Sequence, residues 1–535
     1  MKQTARTLIL LALTGLLLTA CQPTQEPGWW SDAVFYEVFV RSFYDSDGDG
    51  AGDLDGLIEK LDYLNDGDPA TTGDLGVTGI WLMPIMQSPS YHGYDTVDYY
   101  TVEQDYGDNE DFHTLIAEAH ARGIHVIIDL VLNHTSSANP WFIDASTGPG
   151  AEHRDWYVWS EENPGYPGPW GQTVWHRRGA AYYYGLFWDG MPDLNYRNPA
   201  VTAQMYDVAR FWLEDMGVDG FRLDAVRHLI EDGEQQSGSA ETHAWLAEFY
   251  QFYTGVNPAA LTVGEVWDDT ANVLPYITND ELDLAFEFNM ADAIIESITI
   301  NTSNIFRRHL QTALEPYPPG RYATFLTNHD QDRVMTALDH DPAKARFAAT
   351  ILLTLPGVPF VYYGEEIGMT GQKPDEMIRT PMQWTDGEHA GFTTGCPWEP
   401  VNAGYQAVNV AAESADPRSL LNHYRRLIHL RNDHVALRRG DLTPLQSSCR
   451  PVFGYLRHHE RENLLVLLNF SAQEQSGCTL SAPASPLAPG DYAVTKLLAE
   501  LGELDVLTIG AGGSLDSVAL PAFAPQQGYI LLLQD

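Results

Sequence analysis

The sequence predicts an α/β chain: a (β/α)8 TIM barrel that carries one inserted domain and is followed by an antiparallel β-domain. Three observations predict it. Apolar runs of strand length alternate with stretches of helical periodicity, eight such runs occur in series, and the pattern changes to short alternating strands at about residue 441.

In chain order the runs are VFYEVFV, GVTGIWLMPI, GIHVIIDLVLNH, GVDGFRLDAV, LTVGEVW, LDLAFEFN, YATFLTNHD and GVPFVYYGEE. Short strands buried on both faces and separated by helices belong to parallel βα units, because a parallel pair needs a helix-length crossover. Eight units in series favour a closed barrel over an open doubly wound sheet. The third unit is interrupted: after Asn133-His134 an aromatic, Pro- and Gly-rich stretch runs through WHRRGAAYYYGLFWDGMPDLNY. A connection of that length reads as a small domain of its own. The division is barrel at 29–132, inserted domain at 133–196, barrel again at 197–440 and C-terminal β-domain at 441–535, where FGYLRHHE and NLLVLLNFS alternate.

Ahead of the barrel, Lys2 and Arg6 precede LILLALTGLLL, which ends in LTAC. A basic start, a short apolar core and small residues make an export signal over 1–20, followed by a polar tether at 21–28. Leu18-Thr19-Ala20-Cys21 resembles the lipobox of bacterial lipoproteins. That implies cleavage before Cys21, a diacylglycerol on its thiol, and a protein held on the bacterial cell envelope by that lipid alone. No later segment is apolar enough to span a bilayer. Of the other cysteines, Cys449 and Cys478 can pair in an exported chain, Cys396 is then left over, and the spacing fits no zinc motif.

The formal net charge is −43. Nucleic acid and anionic membrane surfaces are repelled by such a chain, so a neutral or cationic ligand is expected. Lysine occurs only at positions 2, 60, 344, 373 and 496, which suits either plain solubility or tolerance of high salt.

A barrel of this kind builds its site at the carboxyl ends of the strands. Those ends carry Asp224 on strand four, Glu265 on strand five and Asp330 on strand seven. His134 ends strand three, Arg222 stands two residues before Asp224, and His329 precedes Asp330. A single carboxylate there can cap the next helix. Three on one rim, with an arginine and two histidines, suit glycoside hydrolysis, in which one carboxylate attacks the anomeric carbon and a protonated second feeds the leaving oxygen. Arg222 shares a strand face with Asp224 and keeps it ionised. The tryptophans and tyrosines of the insertion offer flat surfaces for sugar rings. No Gly-rich phosphate cradle is present.

DLVLNH, GFRLDAVRH, GEVW and TNHD, in order on strands three, four, five and seven, resemble the four motifs of the α-amylase family of glycoside hydrolases. The resemblance covers nearly the whole chain after the signal. It implies Asp224 as nucleophile, Glu265 as general acid/base and Asp330 as the residue supporting the transition state. It also implies that Tyr94, His134, Arg222 and His329 contact the sugar, that the insertion is the family's domain B, and that the substrate is an α-glucan taken by a monomer.

One stretch stands outside this rim. DSDGDGAGDLDG, Asp45 to Gly56, has the alternating aspartates and the glycine of the first part of an EF-hand calcium loop, but Gly56 replaces its closing glutamate. It also lies between a strand and a helix. It resembles the calcium site on the first βα loop of oligo-1,6-glucosidases, which implies Ca2+ held by Asp45, Asp47, Asp49, the Ala51 carbonyl and Asp53. Four aspartates this close repel one another unless neutralised.

Within the family the signals divide. IRTPMQW and GFTTGCPW resemble exo-acting glucosidases, whose arginine at the place of Arg379 pairs with an aspartate that closes the end of the cleft. Here that aspartate's position is Tyr91, as in endo-acting α-amylases, so Arg379 is expected to lack its acidic partner and the cleft to stay open. MPDLN, at Met191–Asn195, resembles an intermediary α-amylase group between oligo-1,6-glucosidases and neopullulanases. His228, with Asn133 and Asp193, marks a candidate second calcium site by the same resemblance. An exo-glucosidase, a debranching or cyclodextrin-cleaving hydrolase and a glucanotransferase share this machinery, whereas a non-catalytic glucan-binding subunit usually lacks the carboxylates found here. The anchor is testable directly: Cys21→Ser should abolish lipid attachment and shift the protein out of the membrane fraction, as read by fractionation and mass analysis of the mature N-terminus.

Overall fold

Eight strands form the barrel: β1 (Phe35–Val38), β2 (Gly79–Leu82), β3 (His125–Leu130), β4 (Gly220–Leu223), β5 (Leu261–Gly264), β6 (Leu284–Ala285), β7 (Ala323–Thr324) and β8 (Val358–Tyr362). They lie parallel in the order β6-β5-β4-β3-β2-β1-β8-β7. A parallel bridge from Phe286 to Ala323 joins β6 to β7 and closes the ring. The computed structural model describes residues 28–314, 317–499 and 501–535. The export signal, Cys21 and the tether up to residue 27 lie outside them.

The two-residue period of each strand sorts its side chains. Phe35, Trp81, Ile127, Leu261, Val263, Leu284, Val358 and Phe360 share one core inside the barrel. The alternate positions Tyr36, Val38, Ile80, Leu82, Val126, Ile128, Phe221 and Leu223 join the larger core with the helices. One period beyond Phe35, Ile127 and Gly220 come Glu37, Asp129 and Arg222, all buried. In the β3–β4 register Asp129 stands directly beside Arg222. The interior therefore changes from apolar to charged as the strands approach their carboxyl ends.

The helix Asn109–Ala121 shows how the outer layer is fixed. Asp108 caps its start in a reciprocal capping box with Asp111, and Phe112, Leu115, Ile116 and Ala119 form the buried stripe. Its last turn ends at the amino end of β3.

The insertion forms a three-stranded antiparallel sheet in the order Trp159–Ser160, Ala181–Tyr184, Trp175–Arg178. Its own core takes Val174, Trp175, Tyr184 and Leu186, so several aromatics expected as sugar platforms are buried packing residues instead. The insertion is stitched to the barrel where Leu194 N donates to Asn133 O at 2.9 Å and His134 bridges to Asp193.

The C-terminal strands are β9 (Asp441–Ser447), β10 (Val452–His459), β11 (Glu462–Asn469), β12 (Thr479–Ala482), β13 (Gly490–Leu498), β14 (Val506–Ile509), β15 (Leu515–Ala519) and β16 (Gln527–Gln534). They make one antiparallel sheet in the order β14-β13-β16-β11-β10-β9-β12-β15. Tyr455, Val466 and Ile530 pack into the barrel core, while Leu456, Leu467 and Leu531 face a separate core of the sheet. Buried Arg457 crosses the junction, donating to Gly440 O at 2.8 Å and Thr354 O at 2.6 Å. A disulfide joins Cys449 to Cys478, and Cys396 is free and exposed. No helix among the described residues is long and apolar enough to cross a membrane.

Candidate active site

Arg222 sits at the carboxyl end of the barrel with its side chain 1 % exposed. Nη1 donates to both oxygens of Asp129 (2.9 and 3.0 Å) and to Asp224 Oδ1 at 2.7 Å, and Nη2 donates to Glu265 Oε2 at 2.7 Å. One guanidinium thus grips carboxylates from β3, from the end of β4 and from the end of β5. Ala225, next to Asp224, takes a left-handed φ of 47°, a conformation that costs a non-glycine residue about 1–3 kcal/mol. Its N–H gives a second hydrogen bond to Glu265 Oε2 at 3.1 Å. Asp224 Oδ2 and Glu265 Oε1 take part in none of the hydrogen bonds among the described residues, and both side chains line the central cavity.

A second chain of contacts enters from β1 and β7. His329, fully buried, meets Glu37 Oε1 at 2.5 Å through Nδ1, and through Nε2 meets Tyr94 Oη at 2.7 Å and Asp330 Oδ2 at 3.2 Å. Tyr94 Oη in turn donates to Asp129 Oδ2 at 3.0 Å. Arg379 donates from Nη2 to Asp330 Oδ1 at 2.9 Å and from Nε to His329 O at 2.9 Å. His134 holds Tyr94 O at 3.1 Å with Nε2, and burial pulls its imidazole down to about 4, so it is neutral.

The electrostatics separate the three rim carboxylates. Burial pushes Asp224 and Glu265 above their ordinary values, against the pull of Arg222. Glu265 carries the further repulsion of Asp224 and Asp330. Burial would also raise Asp330, but His329 and Arg379 outweigh it and hold the carboxyl well below the usual range. Burial lowers the His329 imidazole, yet Asp330 and Glu37 together lift it to about 9.

These groups open into a cavity of about 570 Å3 walled by His92, Tyr94, His134, Phe187, Met191, Arg227, His228 and Arg379. Trp170, Trp188 and Trp267 line it and remain 64 %, 49 % and 45 % exposed. They are the only tryptophans among the exposed large apolar side chains of the described residues, and all three ring one opening. Indole faces left in water at a cleft are suited to stacking on sugar rings. His92 and Trp188 are shared with a second cavity of about 530 Å3, lined also by Ser90, Tyr91, Asp95 and Ser136.

One expectation needs correction. Arg379 does not lack an acidic partner: besides Asp330 it reaches Asp375 Oδ2 at 3.2 Å. The one-turn helix Asp375–Ile378 places that carboxylate four residues before the arginine. Tyr91 itself stacks on Trp398, with ring centroids 5.3 Å apart. On the aspartate loop, the carboxylate oxygens of Asp45, Asp47 and Asp49 approach within 4.8 Å of one another. Asp53 is not in that triplet; its oxygens cap the helix Leu54–Glu59 through Gly56 N (2.6 Å) and accept from Ser46 N and Oγ (2.8 Å each). At the other candidate metal position, Asn133 Nδ2 bonds Asp193 Oδ2 at 3.0 Å, while His228 Nδ1 is taken by Gln236 O at 2.7 Å.

Sequence reasoning passed over Glu37, Asp129 and Asp375. The first two had a signal: each is the single charged residue inside an apolar strand, in VFYEVFV and HVIIDL. Asp375 had none, since its role comes from a short helix after β8.

A barrel whose rim gathers three carboxylates around one arginine, beneath a ring of tryptophans, is the architecture of an enzyme that cuts carbohydrate. Residues 37–440 match the family described as Alpha amylase, catalytic domain, and the chain belongs to this α-amylase family of glycoside hydrolases. It is 40 % identical over 475 residues to Alpha-amylase 3 of Dictyoglomus thermophilum, covering 88 % of this chain and 91 % of that one. It is 34 % identical to an oligo-1,6-glucosidase of Parageobacillus thermoglucosidasius, over 83 % and 90 % of the two chains. The crystal structure of the α-amylase from H. orenii superposes with a TM-score of 0.80 at 41 % identity, covering 94 % of this chain and 99 % of that one.

The raised imidazole has a measurable consequence. Its ordinary value is 6.5 and its folded value about 9, so the stabilisation is fully present below about pH 6.5 and is lost as pH rises through about 9. Urea unfolding of wild type and His329→Gln at pH 6, 8 and 10 should show a difference of up to about 3 kcal/mol at pH 6 that shrinks by pH 10. A difference that stays constant with pH would place the histidine neutral in the folded state.

Proposed function

We propose that the protein is an endo-acting α-amylase that cleaves internal α-1,4-glucosidic bonds of starch, amylose and maltooligosaccharides with retention, exported and held at the cell envelope by a lipid on Cys21. The observation that supports the endo reading is a second cavity that adjoins the first across His92 and Trp188, a place for further sugar units beyond the rim carboxylates. The similarity to proteins named α-amylase supports the same reading.

The chemistry follows from which oxygens are already engaged. Arg222 holds Asp224 Oδ1, so Oδ2 is the oxygen free to attack C1 of the bound glucosyl unit. Glu265 Oε2 accepts from Arg222 and Ala225, so the proton sits on Oε1 and passes to the glycosidic oxygen as that bond breaks. Glu265 then takes a proton from water, the water oxygen attacks C1, and the Asp224 ester is released with the α-configuration kept. A single guanidinium gripping both carboxyl groups favours the close spacing of a retaining pair, about 5–5.5 Å, over the wider gap that admits a water for inversion. Asp330, ionised by His329 and Arg379, supports the positive charge that develops on the sugar. Tyr94, His134 and Arg379 bound the glucosyl unit, whereas Arg222 and His329, expected to touch the sugar, are buried behind the cavity wall and hold the groups that line it.

A second reading, an exo-acting α-glucosidase, is favoured by one observation: Arg379 does have a carboxylate partner in Asp375, and such a pair at the cavity wall is able to grip a chain end.

We also assign a structural Ca2+ to the first βα loop, with Asp45, Asp47 and Asp49 as carboxylate ligands; the family resemblance adds the Ala51 carbonyl and Asp53. An all-oxygen donor set gathered within 4.8 Å fits a hard, flexible cation. The loop is packed tightly: a Cβ on Gly50, whose φ is +103°, would come 2.0 Å from Cys396 O. When bound, the ion neutralises the aspartates and fixes the loop against residues 393–398.

Three outcomes test these assignments. Asp224→Asn should lower activity at least about a thousandfold with the fold intact, while Glu265→Gln should be rescued in part by an aryl glycoside whose leaving group needs no proton. Equal losses on starch and on that substrate would remove the acid role from Glu265. With amylose, iodine colour should fall early while few reducing ends have formed. Steady glucose release with persistent colour would favour the α-glucosidase reading. Calcium at a hundredfold excess over its Kd should add about 2.7 kcal/mol to stability, and chelator or Asp49→Ala should remove it, with metal analysis counting the ion.

A further inference from the structure

At the pole of the barrel opposite the cavity, three side chains converge from three elements. His120 lies in the last turn of the helix Asn109–Ala121, His125 begins β3, and Asp219 immediately precedes β4. His120 Nε2 meets Asp219 Oδ2 at 2.8 Å, and His125 Nδ1 meets Asp219 Oδ1 at 2.9 Å. All three ligand atoms lie within 4.8 Å of one another. Asp219 is held from behind by Val126 N at 2.7 Å. The Trp29 indole stacks on His125 with ring centroids 3.8 Å apart, and its own Nε1–H is pinned to Ala259 O at 2.9 Å. The histidine side chains remain about 40 % exposed on their outer side.

We propose that His120, His125 and Asp219 form a binding site for a borderline-soft divalent cation of the zinc, cobalt or nickel class. Two imidazoles and one carboxylate are the donors such ions take, and the fourth position is left to water on the exposed side. Oxygen-seeking calcium is the wrong partner for two nitrogens. The geometry is close to ready. An ion at about 2.0–2.1 Å from each ligand needs tetrahedral ligand separations of roughly 3.3 Å: the two N···O contacts open slightly, and the two nitrogens, which lie within 4.8 Å of one another, are already in range. The indole of Trp29 fixes the His125 ring and keeps water off its face, as the surroundings of a built metal site do. The high negative charge of the chain raises the local concentration of any cation. The ion would clamp the helix Asn109–Ala121 to β3 and β4.

The test uses the whole protein, freed of transition metals and saturated with Ca2+ so that the aspartate loop is not a competitor. Titration with Co2+ should give one saturable visible absorption band, displaced by Zn2+, and a rise in melting temperature. His120→Ala, at an exposed helix end, and His125→Ala should each weaken Co2+ binding at least tenfold. His113→Ala, an exposed histidine on the same helix, should leave it unchanged. Absence of a saturable band, or equal affinity in His120→Ala, would overturn the assignment and leave the three residues as a pair of hydrogen bonds between helix and barrel.

Discussion

Everything at the rim depends on one buried guanidinium. Burying a charge in a protein interior costs several kcal/mol unless it is paired, and Arg222 is paired with three carboxylates at once. Remove it, and Asp129, Asp224 and Glu265 face one another with no cation between them. Its position comes directly from strand geometry: the two-residue period turns it inward, and the register with β3 sets Asp129 beside it. The plane of the group also lies over the Trp81 ring, 5.3 Å from its centroid, so the last apolar layer of the barrel interior supports the first charged one. Closure of the barrel and assembly of the site are the same event.

The second cationic group, His329, works differently. Arg222 is charged at any accessible pH, whereas His329 carries its charge only because Glu37 and Asp330 flank it. Tyr94 links the two systems, accepting from His329 and donating to Asp129. The result is a division of labour among chemically similar carboxyls. Asp330, touching both His329 and Arg379, is fixed in the ionised form. Glu265 has only part of Arg222 and two negative neighbours, so of the three it is best placed to keep a proton.

Much of this was legible in the sequence. The eight runs matched the eight strands because doubly buried strands must be apolar on both faces, and charges that interrupt them stand out. Asp224, Glu265 and Asp330 were found as strand-end carboxylates. What escaped was set by tertiary packing. The partner of Arg379 comes from a four-residue helix that no periodicity reveals, and the reading of Tyr91 as leaving that arginine unpaired failed for this reason. In the insertion, composition counted aromatics without telling core from cleft: Trp175 is buried, whereas Trp170 is open to solvent.

The seat of Trp29 also fixes where the chain enters the barrel. Its contacts are with Phe35, His125 and Ala259, and Asp32 just beyond is clasped by Arg438 and Arg439. All of these lie at the amino ends of the strands, whereas the cavity opens at the carboxyl ends. Gly28, the first described residue, and the mouth of the cavity therefore lie at opposite poles of the barrel.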